Sequence, residues 1–269
     1  MHVRLADLTA AHRDTPVDAV EEPLSALADD VLLGDERSTA SVIAAASGMG
    51  ATLVKLRTPL PILYSLLSYM TTLSKGAPSM LVLGSHTAAT DPQAWTFASR
   101  TTHDAAALSP LPVVIVRDAP SAGGGRFMCV AVDGRAPTSA LLVKWACANV
   151  LRPEDTILLC HKPDAAGTKD EAKAEVQRCS QMLDAFVGSK GKAVTTHELS
   201  SEYAVQDSLV DLAQSGVPGV WDGPPHMLIL ASRGPGALKR AAPLGSVCDY
   251  VVRHAACSLA IVPPPALVE

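Results

Sequence analysis

Short apolar runs alternate with longer amphipathic segments through the later half of the chain, the pattern of parallel strands joined by helices. Phe127 to Asp133 (FMCVAVD) predicts a strand, Thr138 to Val150 a helix with apolar residues at helical spacing, and Asp155 to His161 (DTILLCH) a second strand. Lys169 to Val187 is polar on one face and apolar on the other, with Gly188 and Gly191 as stop signals. A strand at Ala193 to Leu199 and a helix at Gln206 to Gln214 follow. A strand at His226 to Ser232, a helix at Ser246 to His254 and a strand at Leu259 to Val262 complete the set. Five predicted strands alternate with four helices.

The earlier half ends in the same way. SMLVLGS begins at Ser79 and HMLILAS at His226, an offset of 226 − 79 = 147. After each string comes a small-Ser pair, Ala98-Ser99 and Gly245-Ser246, then a helix-like segment and an apolar strand, Pro112 to Val116 and Leu259 to Val262. Such self-similarity at a fixed offset reads as two copies of one α/β unit. Residues 123–125 are three adjacent glycines and read as the linker between a unit at 1–122 and another at 126–265. In the first unit the opening is hard to place: His2 to Leu8 or Val31 to Gly34 is an early strand, Asp18 to Asp30 is a candidate helix, and by length an opening strand and helix are missing. Residues 1–36 carry nine acidic and two basic side chains, read as a solvated face or loose terminus.

Composition narrows the classes. The 269 residues are 48% hydrophobic and 18% charged, enough for a large core and against disorder as the main state. A net charge of -5 gives no general attraction to nucleic acid or anionic membrane. The most apolar stretch, Leu60 to Met70, is interrupted by Pro61 and falls well short of the ~20 residues that cross a bilayer. With no secretory leader pattern, a cytoplasmic location is expected. The six cysteines form no CxxC pair and no His-containing zinc spacing, so they read as buried free thiols.

Chemistry concentrates where a strand stops at Ala231-Ser232-Arg233-Gly234 and a helix starts near Ser246. That junction places small residues and unpaired helix N–H groups at a sheet-edge crevice suited to phosphate oxygens. Gly234, Gly236 and Gly245 permit close backbone approach, Ser246 can donate to an anion or cap the helix, and Arg233, Lys239 and Arg240 add positive charge. Asp133, at the end of the first strand, can accept from a nucleotide's base or sugar.

Over Arg126 to Pro263 these strings resemble the universal stress protein family. VAVDG at Val130 to Gly134 is similar to its first strand, LLCH at Leu158 to His161 to its second, and Ala231 to Val262 to its Gly-x2-Gly-x9-Gly-Ser/Thr signature. The resemblance implies an α/β class of two tandem open parallel-sheet sandwich domains, adenine-nucleotide α-hydrolase-like, five-stranded in the second copy and packed as a pseudo-dimer through their last strands. It implies ATP or AMP held by Val132, Asp133, Lys162, Leu230, Ala231, Arg233, Gly234, Gly236, Gly245, Ser246 and Val247, with Mg²⁺ undecided. The departures are Ala231 for the first glycine, ten residues between Gly234 and Gly245, Pro243 within them, Arg135 after Asp133-Gly134, and Lys162 in an apolar position.

The earlier copy reads Gly84-Ser85-His86-Thr87 at its turn, without the basic cluster, and resembles a degenerate, non-binding unit with His86 in a structural role. No GxSxG elbow and no Walker motif occurs, and His161, His197, His226 and His254 are not spaced as metal ligands. The resemblance implies that His254 and Cys257 lie at a turn used for packing, and Trp221 is expected to pack on its own domain, with an exposed anchor or a flap over the sheet end as the alternatives. Two functions stay open: a regulator or sensor binding an adenine nucleotide in the second domain, with weak ATP hydrolysis at most, and a non-nucleotide-binding pseudo-dimer scaffold for protein partners. Further homodimerisation is open too. An adenylyl-transferring relative would carry an intact glycine loop at the first strand, which Ala131 to Arg135 is not.

Overall fold

The structure, a computed structural model, describes residues 4–8, 18–22, 52–57, 80–84, 100–109, 111–117, 125–163, 169–188, 194–232 and 244–264. The chain divides into two compact units, Met1–Val82 with Ser109–Pro112, and Leu83–Leu108 with Val113–Glu269.

In the first unit, β1 (Arg4–Leu8), β2 (Asp18–Glu22) and β3 (Thr52–Arg57) form a small sheet with the start of β4 (Leu81–Gly84). β1 runs parallel to β3, Arg4 opposite Thr52, and parallel to β4, Arg4 opposite Leu81. β2 pairs antiparallel with β3, Asp18 opposite Arg57. The strand expected at His2 to Leu8 is present as Arg4–Leu8, while two other expectations change. The opening strand is present, and Asp18–Glu22 is a strand rather than the start of a helix. A local acidic run favours helix only weakly; the ladder offered by β3, a strand the sequence pattern did not single out, overrides it. The Val31–Gly34 alternative, the remainder of the proposed helix and His86 lie outside the described residues.

The second unit holds α1 (Arg100–Leu108), β5 (Val113–Val116), β6 (Phe127–Val132), α2 (Thr138–Asn149), β7 (Thr156–His161), α3 (Lys169–Val187) and β8 (Thr195–Glu198). Next come α4 (Val205–Ser215), a hairpin of β9 (Gly216–Val217) and β10 (Trp221–Asp222), β11 (Met227–Ala231), α5 (Ser246–His254) and β12 (Ser258–Val262). Its sheet order is β5-β12-β11-β6-β7-β8. Its strands β6, β7, β8, β11 and β12 are parallel, and every strand and helix expected there is found, within one or two residues at its ends.

These strands are apolar on successive residues because both sheet faces are covered. Phe127, Cys129, Val130, Leu158, Leu159, Ile229 and Leu259 are wholly inaccessible. Each such aliphatic side chain contributes about 1.5–3 kcal/mol on burial, so the central strands carry the stability. Right-handed crossovers put α2 and α3 on one face and α4 and α5 on the other; correspondingly α2 packs beside α3 and α4 beside α5.

β5 is the antiparallel member. It pairs with β12 with Ile115 opposite Leu259, Val114 opposite Ala260 and Val113 opposite Ile261. Because 260 − 113 and 261 − 114 both equal 147, the last two pairs exchange under the offset that relates the sequence repeats. The order β3-β1-β4 in the first unit likewise matches β7-β6-β11 in the second, with the opening strand between its successor and a later strand.

Below the sheet, Trp221 stacks on Phe127, ring centroids 5.0 Å apart and planes at 11°. The expected packing of Trp221 on its own domain is found, rather than a flap over the sheet end. The stack instead lies where β6 begins, and His226 Nδ1 accepts from the Phe127 N–H at 3.0 Å.

Candidate functional site

The chain steps outward from β6 to β7 and β8, then returns to β11 and β12 on the other side. The point where the direction reverses, between the carboxyl ends of β6 and β11, is the crevice where open α/β sheets bind ligands. Two helices start there, α2 after β6 and α5 after β11, and each brings a partial positive charge at its N-terminus.

The α2 start is met by groups of the protein itself. Asp133 Oδ1 accepts from the Arg135 N–H and from Ser139 Oγ, both at 3.0 Å. Glu175, a carboxylate on α3 with 6% exposure, accepts from the Ala140 N–H at 3.2 Å. Pro137 at the N-cap has no side-chain donor or acceptor to offer; the Ser139 N–H goes instead to the Arg135 carbonyl at 3.0 Å and the Ala140 N–H to Glu175. Gly134 makes the turn at φ 70°, and a Cβ there would press on the Ala172 Cβ at 3.1 Å.

The α5 end is different. Gly245 is its N-cap and makes no side-chain cap. The Gly245 N–H donates to the Ser232 carbonyl at 3.0 Å and Cys248 Sγ donates to the Ala231 carbonyl at 2.9 Å, stitching the first turn to the end of β11. A Cβ on Gly245 would stand 3.1 Å from the Ser232 oxygen, so glycine lets the helix begin this close to the strand. The first intrahelical bond that runs back to the cap is Asp249 N–H to Gly245 O at 2.9 Å. The Ser246, Val247 and Cys248 N–H groups therefore have no acceptor within the helix.

Of the expected site residues, Val132, Asp133, Leu230, Ala231, Gly245, Ser246 and Val247 lie around this crevice, at the ends of β6 and β11 and the start of α5. Val132 and Leu230 are buried beneath it. Lys162 Nζ donates to the Tyr203 carbonyl at 2.6 Å, on the loop between β8 and α4. Arg233, Gly234 and Gly236, with Lys239, Arg240 and Pro243, lie outside the described residues.

The remaining chemistry-bearing residues are used in packing. Burial holds the His161 imidazole below its ordinary value, against the opposing influence of Glu198. His254 Nδ1 bonds to the Tyr250 carbonyl at 2.8 Å, while burial pushes the Cys257 thiol up to about 12. A thiol so protonated is no nucleophile. Cys129 and Cys160 face each other at 3.3 Å between Sγ atoms in the core. Among the described residues, no helix is long and apolar enough to cross a membrane.

Two features escaped the sequence reading. Glu175 had a signal: it interrupts the apolar stripe Ala172, Val176, Cys179, Leu183 of α3, where an acidic residue is costly unless partnered. The second, a cluster of His103, Asp249 and Arg253, joins residues too far apart in sequence to have been foreseen. His103 Nε2 lies 2.6 Å from Asp249 Oδ1 and 3.0 Å from Arg253 Nη2.

Residues 222–263 match the model of the universal stress protein family. Universal stress protein PHOS32 of Arabidopsis thaliana is 28% identical over 173 residues, 54% of this chain and 68% of the relative. PHOS34 of the same plant is 25% identical over 182 residues, 54% of this chain and 65% of its own length. The chain thus spans about two thirds of these curated relatives. Among solved structures, a universal stress protein from Archaeoglobus fulgidus DSM 4304 superposes with a TM-score of 0.51 at 14% identity, over 85% of this chain and 75% of that one. A candidate universal stress protein from Pseudomonas aeruginosa UCBPP-PA14 gives 0.54 at 9% identity, over 99% and 94%. At these identities the structures speak for the fold alone. Over residues 222–263 the chain is thus similar to the universal stress protein family, and over about half its length to curated proteins of that name.

Proposed function

We propose that the second unit binds an adenine nucleotide, ATP or AMP, across the carboxyl ends of β6 and β11, and that the protein acts as a nucleotide-responsive regulator or sensor. The observation that carries this reading is the unequal treatment of the two helix N-termini at the crevice. At α2 the Ser139 N–H goes to the Arg135 carbonyl and the Ala140 N–H to Glu175. α5 presents the Ser246, Val247 and Cys248 N–H groups behind a glycine cap, which fits a phosphate. The nucleoside then falls toward the end of β6, beside Val132 and Asp133. Lys162, tied to Tyr203, is available to a ligand only by exchanging that bond. Arg233, Gly234 and Gly236 belong to the same proposed site by sequence. No residue is assigned as a general base, so the reading is of binding rather than of turnover.

Equilibrium titration with a non-hydrolysable ATP analogue tests it. Saturable binding that Gly245→Val removes and Asp133→Ala weakens supports the site; absence of saturable binding at millimolar ligand sinks it.

A second reading rests on its own observation, the self-complementary register of β5 on β12. In this reading the chain is a tandem of two copies, at 1–122 and 126–265, whose last strands pair as a covalent pseudo-dimer. The surface so made serves protein partners with or without nucleotide. Both readings share the duplication, and only the first needs the α5 N-terminus.

A further inference from the structure

The helix that begins at the proposed phosphate position carries an acid in its first turn, Asp249. A carboxylate there stabilises the helix, yet it also competes with an incoming phosphate for the same N-terminal field. Asp249 is not left as a bare charge. Arg253, one turn on, reaches it through Nε at 3.2 Å to Oδ2 and Nη2 at 3.3 Å to Oδ1. His103, from α1, meets Oδ1 through Nε2 at 2.6 Å. The other ring nitrogen, Nδ1, lies 3.2 Å from Asp104 Oδ1, so the imidazole sits between two carboxylates. Arg253 Nη2 also lies 3.0 Å from Nε2. Among the described residues, the groups facing His103 are Asp104 on its own helix and Asp249 and Arg253 on α5, while β5, also packed on α1, brings the apolar Val113–Val116. The His103 side chain is 16% exposed. Burial alone would raise the Asp249 carboxyl, but the hydrogen bonds from Arg253 and His103, with their charges, outweigh it and hold it below the ordinary carboxylate range.

We infer that His103 regulates the α5 phosphate site: by engaging Asp249 it draws negative charge away from the helix N-terminus and so sets the affinity for the nucleotide's phosphate. This rests on the nucleotide reading above and adds to it. Under the duplication, α1 belongs to the copy without a glycine loop, which then has a function in the other copy's site. His103 is a positioning residue and touches no ligand.

The test is a set of titrations with a non-hydrolysable ATP analogue at low ionic strength, on the full chain, with His103→Gln, His103→Lys, Asp249→Asn and the His103→Gln/Asp249→Asn pair. Thermal unfolding of each variant checks that it is folded. Helix-terminus charges act on the scale of about two- to fivefold in affinity. His103→Gln is expected to weaken binding by about that factor, and His103→Lys to restore it. Asp249→Asn is expected to tighten binding and to make His103→Gln silent. Raising salt is expected to shrink every difference. A purely structural role gives the opposite pattern for Asp249→Asn, weaker binding that the second substitution worsens, and that overturns the inference. So does wild-type binding that His103→Gln leaves unchanged, while the nucleotide reading survives. A wild-type chain that shows no saturable binding overturns both.

Discussion

Arg117, the residue after β5, donates through Nη2 to the Val252 carbonyl at 2.7 Å and so closes the carboxyl end of α5. Its Nη1 also reaches the Ala255 and Cys257 carbonyls, and its backbone N–H donates to Ser258 Oγ at 3.0 Å. A guanidinium suits this place because its planar fork serves several carbonyls at once and its charge complements the helix C-terminus. Burial lowers its pKa to about 10, with Cys257 pulling the other way, so it stays charged at neutral pH. The residue that fastens β5 to β12 thus also anchors the helix whose other end faces the proposed ligand.

Replacing Arg117 with Met leaves several carbonyls at the end of α5 without their donor. The expected cost is about 3 kcal/mol, from the penalty of unpaired buried polar groups. Urea unfolding measures it; a loss below about 1 kcal/mol would show that those carbonyls find other partners.

The hairpin under the sheet offers a paired comparison. Gly216 and Gly219 adopt φ 76° and 79°, but a Cβ on Gly216 would overlap the Gly223 and Trp221 carbonyl oxygens, whereas nothing stands within 4 Å of one on Gly219. Gly219→Ala is expected to cost about 1 kcal/mol from left-handed strain alone. Gly216→Ala is expected to cost about 3 kcal/mol or more, because the overlap is with backbone. Equal thermal shifts would contradict the hairpin geometry.

The lowered Asp249 carboxyl has a pH signature. Its folded-state pKa lies below its unfolded value, so its contribution to stability is complete above the unfolded pKa and is lost as pH falls through the folded one. Asp249→Asn is therefore expected to flatten the stability profile below about pH 4. Acid-limb unfolding curves that superpose on the wild type would show that the carboxylate contributes nothing there.

The thiols predict their own chemistry. Burial pushes Cys179, Cys248 and Cys257 up to about 12 and the half-buried Cys147 up to about 11. At pH 8 the Cys147 thiolate fraction is about one in a thousand, yet it is the residue expected to alkylate first, with the others following only in denaturant. Rapid native labelling of Cys248 would contradict its bond to the Ala231 carbonyl.

Legibility followed how local the causes are. The ends of α3 and α5 were readable because an amphipathic stripe and its bounding glycines lie within the segment itself. The strand at Asp18–Glu22 was not, since its partner Thr52–Arg57 lies about thirty residues on and decides its conformation. At the site, the glycine and serine of the α5 start were visible as letters, whereas the occupation of the α2 start by Glu175 needed the packing of α3. His103 and Asp249 are 146 residues apart, and only the antiparallel seating of β5 on β12 explains why α1 and α5 meet.

The central claim is answered most directly by a crystal structure with AMP bound. Density for its phosphate within hydrogen-bond reach of the Ser246 and Val247 N–H groups, with the nucleoside beside Val132, is the expected result. AMP density at another place, or none at saturating concentration with the α5 start closed by the protein itself, contradicts it.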